Sequence, residues 1–189
     1  GCGLDCAARM IRRSELNLPN SITISRILAL PFCAYALFKN GGDDSTWRVI
    51  AFVLFFIVGV TDFLDGRLAR SRNTVTEFGK LLDPIADKAL IGTALISLSI
   101  LDKLPWWVTV VVLTREIGIT VFRFVVIRGG VIPANRGGKV KTIVQNTAAG
   151  FYILPLPSSL NWFRELFMGA ALILTIATGI WYLLEATKE

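Results

Sequence analysis

Residues 47–101 read WRVIAFVLFFIVGVTDFLDGRLARSRNTVTEFGKLLDPIADKALIGTALISLSIL. Two apolar stretches flank a short polar connection at 71–77, and each is long enough to cross a hydrocarbon layer, which takes about 20 helical residues. The carboxylates crowd around the connection: Asp62 and Asp65 end the first stretch, and Asp83 and Asp87 begin the second. The same alternation continues outward. Apolar stretches at 22–39, 47–69, 78–101, 104–128, 139–157 and 160–184 are separated by turn signals such as Gly41-Gly42-Asp43-Asp44, Asp102-Lys103-Leu104-Pro105, Gly129-Gly130 and Pro155-Leu-Pro157. The pattern predicts an all-α integral membrane bundle of six transmembrane helices. Ahead of it, residues 4–17 place Leu4, Ala8 and Ile11 against Arg9, Arg12 and Arg13, the pattern of an amphipathic helix lying on the bilayer surface. Pro19–Asn20 is expected to break the chain there, with Asn20 or Ser21 capping the first span. The chain is therefore divided into a juxtamembrane segment, 1–20, and a transmembrane domain, 21–189.

Composition agrees. Of 189 residues 53% are hydrophobic and 18% charged, against about 25% charged in an ordinary soluble domain. Three cysteines make no disulfide framework, and without histidine there is no His-based metal or nucleophile chemistry. Lys and Arg are distributed unevenly between the two ends of the spans. Arg9, Arg12, Arg13, Arg67, Arg70, Arg72, Lys80, Arg128, Arg136, Lys139, Lys141 and Lys188 fall on one side, and Lys39, Arg48, Lys103 and Arg164 on the other. The positive-inside rule puts the first side, and both termini, in the cytoplasm. With no soluble domain to present a nucleic-acid site, the net charge of +6 reads as topology and attraction to anionic headgroups. The given stretch carries no organelle-targeting segment, so the expected setting is a bacterial inner or plasma membrane.

Charges remain where a span should be apolar. An Asp or Arg at the centre of a spanning helix costs about 2.5–3.5 kcal/mol on insertion scales. One such residue reads as an ion pair, such as Asp87 with Lys88 or, between helices, with Arg26. The set demands more. Asp62 and Asp65 are three apart and Asp83 and Asp87 four apart, so on helices each pair shares a face. Four carboxylates converging at one depth would repel and take up protons unless cations lay among them. All-oxygen ligands select Mg²⁺, Mn²⁺ or Ca²⁺ rather than Zn²⁺. Four carboxylates suit a pair of ions better than one, as in metal-assisted phosphoryl transfer. Gly66 and Gly79 beside them point to close approach of a ligand or of another backbone.

Written out, Asp62-x2-Asp65-Gly66-x2-Ala69-Arg70-x8-Gly79-x3-Asp83-x3-Asp87 resembles the signature of the CDP-alcohol phosphotransferase family at all eight fixed positions. The Asn20-x2-Thr23-x2-Arg26 opening of the first span and the six-span layout are similar to that family too. The resemblance implies transfer from CDP-diacylglycerol to an alcohol with release of CMP, and two Mg²⁺ or Mn²⁺ ions as cofactors. It implies that Asp62 and Asp83 bridge the metals, that Asp65 completes one site, and that Asp87 contacts the other and acts as general base. It further implies that Gly66 and Ala69 line a cytidine pocket, that Arg70 and Thr76 contact the diphosphate or nucleotide, and that Gly79 and Asn20 to Thr23 complete the CDP-lipid site. A homodimer in the lipid bilayer is also implied.

Thr114-Arg115-Glu116, Arg123 and Gly138-Lys139-Val-Lys141-Thr142-Ile-Val-Gln145 resemble the branch of the family that uses sn-glycerol 3-phosphate. Arg115, Arg123, Lys139 and Lys141 would then bind the acceptor's phosphate. The plainer readings are membrane anchoring for the two lysines and a helix-stabilising pair of Arg115 with Glu116 or with a neighbouring span. Competing functions are the same chemistry on inositol phosphate, serine or phosphatidylglycerol and, in a different class, a divalent-cation transporter, which leaves Gly66, Ala69, Arg70 and Gly79 without a role.

Overall fold

A computed structural model describes residues 18–71, 77–126 and 136–186, with side chains described over 24–61, 85–121, 140–182 and at 184. Among the described residues all regular structure is helical. The helices are α1 (Leu18–Phe38), α2 (Ser45–Ser71), α3 (Glu77–Ile100), α4 (Trp106–Val126), α5 (Arg136–Ile153) and α6 (Asn161–Ala186), with short 3₁₀ turns at Lys39–Gly42 and Ser158–Leu160. Each coincides with one of the six apolar stretches to within a few residues. The expected surface helix at 4–17 lies outside the described residues.

The start of α1 is a correction. The helix already includes Leu18, Pro19 and Asn20, so Pro19 does not break the chain, and neither Asn20 nor Ser21 caps it. Proline is tolerated in a first helical turn because the amide it lacks would have no partner there.

The helices close into a ring. α1 packs on α2 and α3, α2 on α5, α5 on α6, α6 on α4, and α4 on α3. Further contacts of α3 with α2 and α5 put α3 at the centre. Its Leu90, Ala94, Leu95 and Leu98 form the heart of the core, with Leu37, Ala51, Val108, Val112, Ala148, Ala149 and Ala171 from the surrounding helices. Small residues on the inner faces let the backbones approach closely.

The outside of the bundle is strongly apolar, and part of the inside is polar. On α6, Ile173, Ile176, Ile180 and Leu184 point outward, while Met168, Ala171, Thr175 and Tyr182 are buried. The spacings are those of two opposed stripes on one helix. Leu28, Phe32 and Ile143 are each more than 60% exposed, whereas Arg26, Glu116, Lys141 and Gln145 are buried. By length and composition Ser158–Tyr182 could cross a membrane. α4 and α5 carry more charge, with Arg115, Glu116 and Arg123 on one and Arg136, Lys139 and Lys141 on the other.

One end of the bundle is tied by side chains to backbone and to each other. Asp44 caps α2, accepting from the Thr46 amide at 2.9 Å and the Trp47 amide at 3.3 Å. The Asn40 amide donates to its other oxygen at 2.8 Å. Asn40 and these two amides hold the Asp44 carboxyl below the usual carboxylate range. Lys103 in the α3–α4 turn donates to Asp43 in the α1–α2 turn at 2.7 Å. Arg48 on α2 donates to the carbonyls of Tyr152, Ile153 and Leu154 at 2.8, 3.0 and 2.9 Å, satisfying the orphan acceptors at the end of α5. Lys39, Arg48, Lys103 and Arg164, grouped on one side by sequence, thus lie in or beside the connections at one end, Arg48 and Arg164 in the first turns of α2 and α6.

The α1–α2 turn needs its glycine. Gly42 has φ +79°, and a Cβ there would lie 2.7 Å from a Leu101 methyl and 3.2 Å from the Leu37 carbonyl oxygen. Gly42→Ala is expected to cost about 1–2 kcal/mol from the left-handed backbone alone. A lowered thermal midpoint in detergent checks this, and an unchanged midpoint would count against the turn as drawn.

Candidate active site

Farther along the bundle, near the middle of α3 and α4, a buried carboxylate gathers three cations from three helices. Glu116 on α4 is 2% exposed. Its Oε1 accepts from Arg115 Nη1 at 3.0 Å and pairs with the Lys141 ammonium of α5. Its Oε2 pairs with Lys88 Nζ of α3 at 2.5 Å. Lys88 reaches back to Asp87 Oδ2 at 3.0 Å, so one ammonium joins the Glu116 cluster to the last aspartate of the quartet. α6 supplies the backing: Thr178 Oγ1 accepts from Arg115 Nη2 at 2.7 Å, and Gly179 lies beside the guanidinium stem, where an added Cβ would sit 3.5 Å from Arg115 Cγ. Farther along the same face, buried Thr175 donates to Gln145 at 3.4 Å.

The charge balance has consequences. Among the described side chains, Lys88, Arg115 and Lys141 face only Glu116 and Asp87. Among the described side chains, then, three cations share two carboxylates, and a low dielectric makes an excess of one sign costly unless a counter-charge lies near. Arg115 Nε is buried and has no hydrogen-bond partner among the described residues. The arrangement suits an incoming phosphate group, which takes charge-assisted hydrogen bonds well.

Of the acceptor residues inferred from sequence, Arg115 and Lys141 come together. Lys141 is 2% exposed, which fits a residue built into a polar cluster and not one anchoring at the membrane surface. The Arg115–Glu116 pair is real, but Glu116 also serves two other helices, so it is more than a local brace. Arg123 lies on α4 and Lys139 on α5, their side chains outside the described set.

For the four aspartates expected to hold metal, the structure describes the helices that carry them. Asp62 and Asp65 belong to α2, and Asp83 and Asp87 to α3. The two helices are in direct contact, as a shared carboxylate site requires, and an all-oxygen donor set fits a hard divalent cation. Asp87 is the one of the four whose side chain is described, and it is partly exposed on the side of Lys88. The side chains of Asn20, Thr23, Gly66, Ala69, Arg70 and Gly79 lie outside the described set, as does all of Thr76, though the others sit on α1, α2 and α3.

Sequence reasoning did not single out Lys88 or Glu116 as parts of a site, and it missed Thr178. A signal existed for the first two, since both are charges within apolar stretches. Thr178 carried none, because a threonine in an apolar helix is unremarked until its neighbour is known.

The family profile described as CDP-alcohol phosphatidyltransferase matches residues 16–181. The chain belongs to the CDP-alcohol phosphatidyltransferase family. Members of this family generally use divalent metal ions. The chain is 50% identical over 173 residues to a "Probable phosphatidylglycerophosphate synthase" of Mycobacterium tuberculosis (strain CDC 1551 / Oshkosh), covering 92% of this chain and 83% of that protein. It is 39% identical over 176 residues to the "CDP-diacylglycerol--glycerol-3-phosphate 3-phosphatidyltransferase" of Bacillus subtilis (strain 168), covering 86% and 91%. It is 30% identical over 154 residues to the "Cardiolipin synthase (CMP-forming)" of Streptomyces coelicolor, covering 80% and 70%. For a CDP-alcohol phosphatidyltransferase, the pairing of Asp87 with a cation cluster sets a candidate metal ligand beside a candidate anion site.

Proposed function

We propose that this CDP-alcohol phosphatidyltransferase transfers the phosphatidyl group of CDP-diacylglycerol to sn-glycerol 3-phosphate, giving phosphatidylglycerophosphate and CMP. The observation that carries the choice of acceptor is the cluster of Lys88, Arg115 and Lys141 on Glu116 next to Asp87, a group of cations suited to a phosphate monoester. The names of the Mycobacterium and Bacillus relatives support it. The acceptor's free hydroxyl attacks the phosphorus that bears the diacylglycerol, and the bond from that phosphorus to the CMP oxygen breaks. The hydroxyl proton passes to Asp87, and CMP leaves with the electron pair.

Asp62, Asp65, Asp83 and Asp87 would hold two Mg²⁺ or Mn²⁺ ions, which when bound neutralise the diphosphate and stabilise the leaving group. Asn20, Thr23, Gly66, Ala69, Arg70, Thr76 and Gly79 would hold the CDP-lipid. The apolar exterior of the bundle supports six membrane-spanning helices, with the acyl chains in lipid and the site at the cytoplasmic end. A homodimer is part of the same reading.

The test is CMP release by detergent-purified protein given CDP-diacylglycerol and each acceptor in turn. Turnover with glycerol 3-phosphate, lost with EDTA and restored by Mg²⁺ or Mn²⁺, is the expected result. Turnover only with inositol phosphate or serine would replace the acceptor. Turnover only with phosphatidylglycerol would favour the reaction named for the Streptomyces relative. Metal flux into liposomes without CMP release would point to a transporter.

A further inference from the structure

Glu116 sits where the proposed acceptor site needs cations, yet its own charge is of the wrong sign to bind a phosphate. Its position resolves this. It is 2% exposed and lies at the middle of the cluster, on α4 where side chains of α3 and α5 meet it. Without it, Lys88, Arg115 and Lys141 would repel one another in a low-dielectric interior, and each long side chain would gain by turning toward solvent or headgroups. With it, three cations from three helices share one anchor, while Thr178 fixes the far side of Arg115.

We propose that Glu116 is a positioning residue for the acceptor: it preorganises Lys88, Arg115 and Lys141 into a cradle for the phosphate of the incoming alcohol and does not touch the reacting atoms. This rests on the acceptor reading above and deepens it. The cradle is in place before the acceptor arrives, so less side-chain ordering remains to oppose binding. Lys88 ties it to Asp87, so the phosphate-binding end and the proton-accepting end of the acceptor are set at a fixed separation. Losing Glu116 should therefore weaken acceptor binding selectively and leave the CDP-lipid site largely intact.

The experiment is steady-state kinetics of wild type, Glu116→Gln and Glu116→Asp in detergent micelles, varying sn-glycerol 3-phosphate and CDP-diacylglycerol separately. Glu116→Gln keeps the shape but removes the charge that anchors three cations. It is expected to raise the KM for glycerol 3-phosphate by about tenfold or more, the scale of a charged hydrogen bond, with the KM for CDP-diacylglycerol within about twofold. Glu116→Asp keeps the charge one methylene farther back and should recover much of the loss, leaving an acceptor KM about threefold above wild type. If Glu116→Gln does not fold, Glu116→Asp carries the test alone. Parallel changes in both KM values, a loss confined to kcat, or an unchanged acceptor KM would overturn the assignment. The parent reading fails separately, when wild type releases no CMP with glycerol 3-phosphate at all, and the assignment falls with it.

Discussion

Asp87→Asn eliminates turnover while leaving metal-dependent binding of CDP-diacylglycerol measurable; this is the expected result with the largest effect. The amide keeps the volume and one oxygen but cannot accept the hydroxyl proton. Losing a general base costs on the order of a hundredfold to ten-thousandfold in rate. A weakened metal site adds to the loss, since Asp87 is proposed to serve both roles. The fold should tolerate the change, because Asp87 is partly exposed and its Lys88 partner retains Glu116. CMP release at saturating acceptor, alongside equilibrium binding of the CDP-lipid with Mg²⁺, separates the two quantities. Near-normal turnover would remove Asp87 as the base. Loss of CDP-lipid binding together with turnover would assign it to metal binding instead.

Lys141→Met should act on the acceptor. Removing one member of a buried ion pair usually costs about 3–5 kcal/mol of stability, because its partner is stranded. Here Glu116 keeps Lys88 and Arg115, so the variant should fold with a smaller loss. The local positive surplus falls by one charge, however, and the acceptor phosphate loses attraction. The KM for glycerol 3-phosphate is expected to rise by about tenfold to a hundredfold, and that for CDP-diacylglycerol to change by less than about threefold. Arg115→Ala should follow the same pattern, with a further loss from the unfilled contact against Thr178 and Gly179. Equal shifts in both KM values would deny an acceptor site at this place.

The two positions illustrate different kinds of legibility. Asp87 could be nominated by reading alone, because the case for it lies in spacing along one segment: four positions from Asp83, on a helix whose apolar residues announce it. The helix boundaries were legible for the same reason, and the error at Pro19 is instructive. A proline is no sure stop signal here: Pro19 stands in the first described turn of α1, and Pro31 and Pro84 lie within α1 and α3, where packing carries the helix past them. Lys141 could be flagged from its family-like surroundings, but whether it anchors at a surface or lies buried depended on what α5 packs against.

Hydropathy, periodicity and a fixed motif are properties of neighbouring residues, and they sufficed to define six helices, the family, and the segment that carries the carboxylates. The gathering of Lys88, Arg115 and Lys141 around Glu116 could not be read that way. Those residues come from three helices, and their meeting is set by how α3, α4 and α5 pack. An ion pair depends on distance through space, which the order of residues along separate helices leaves open until the bundle closes.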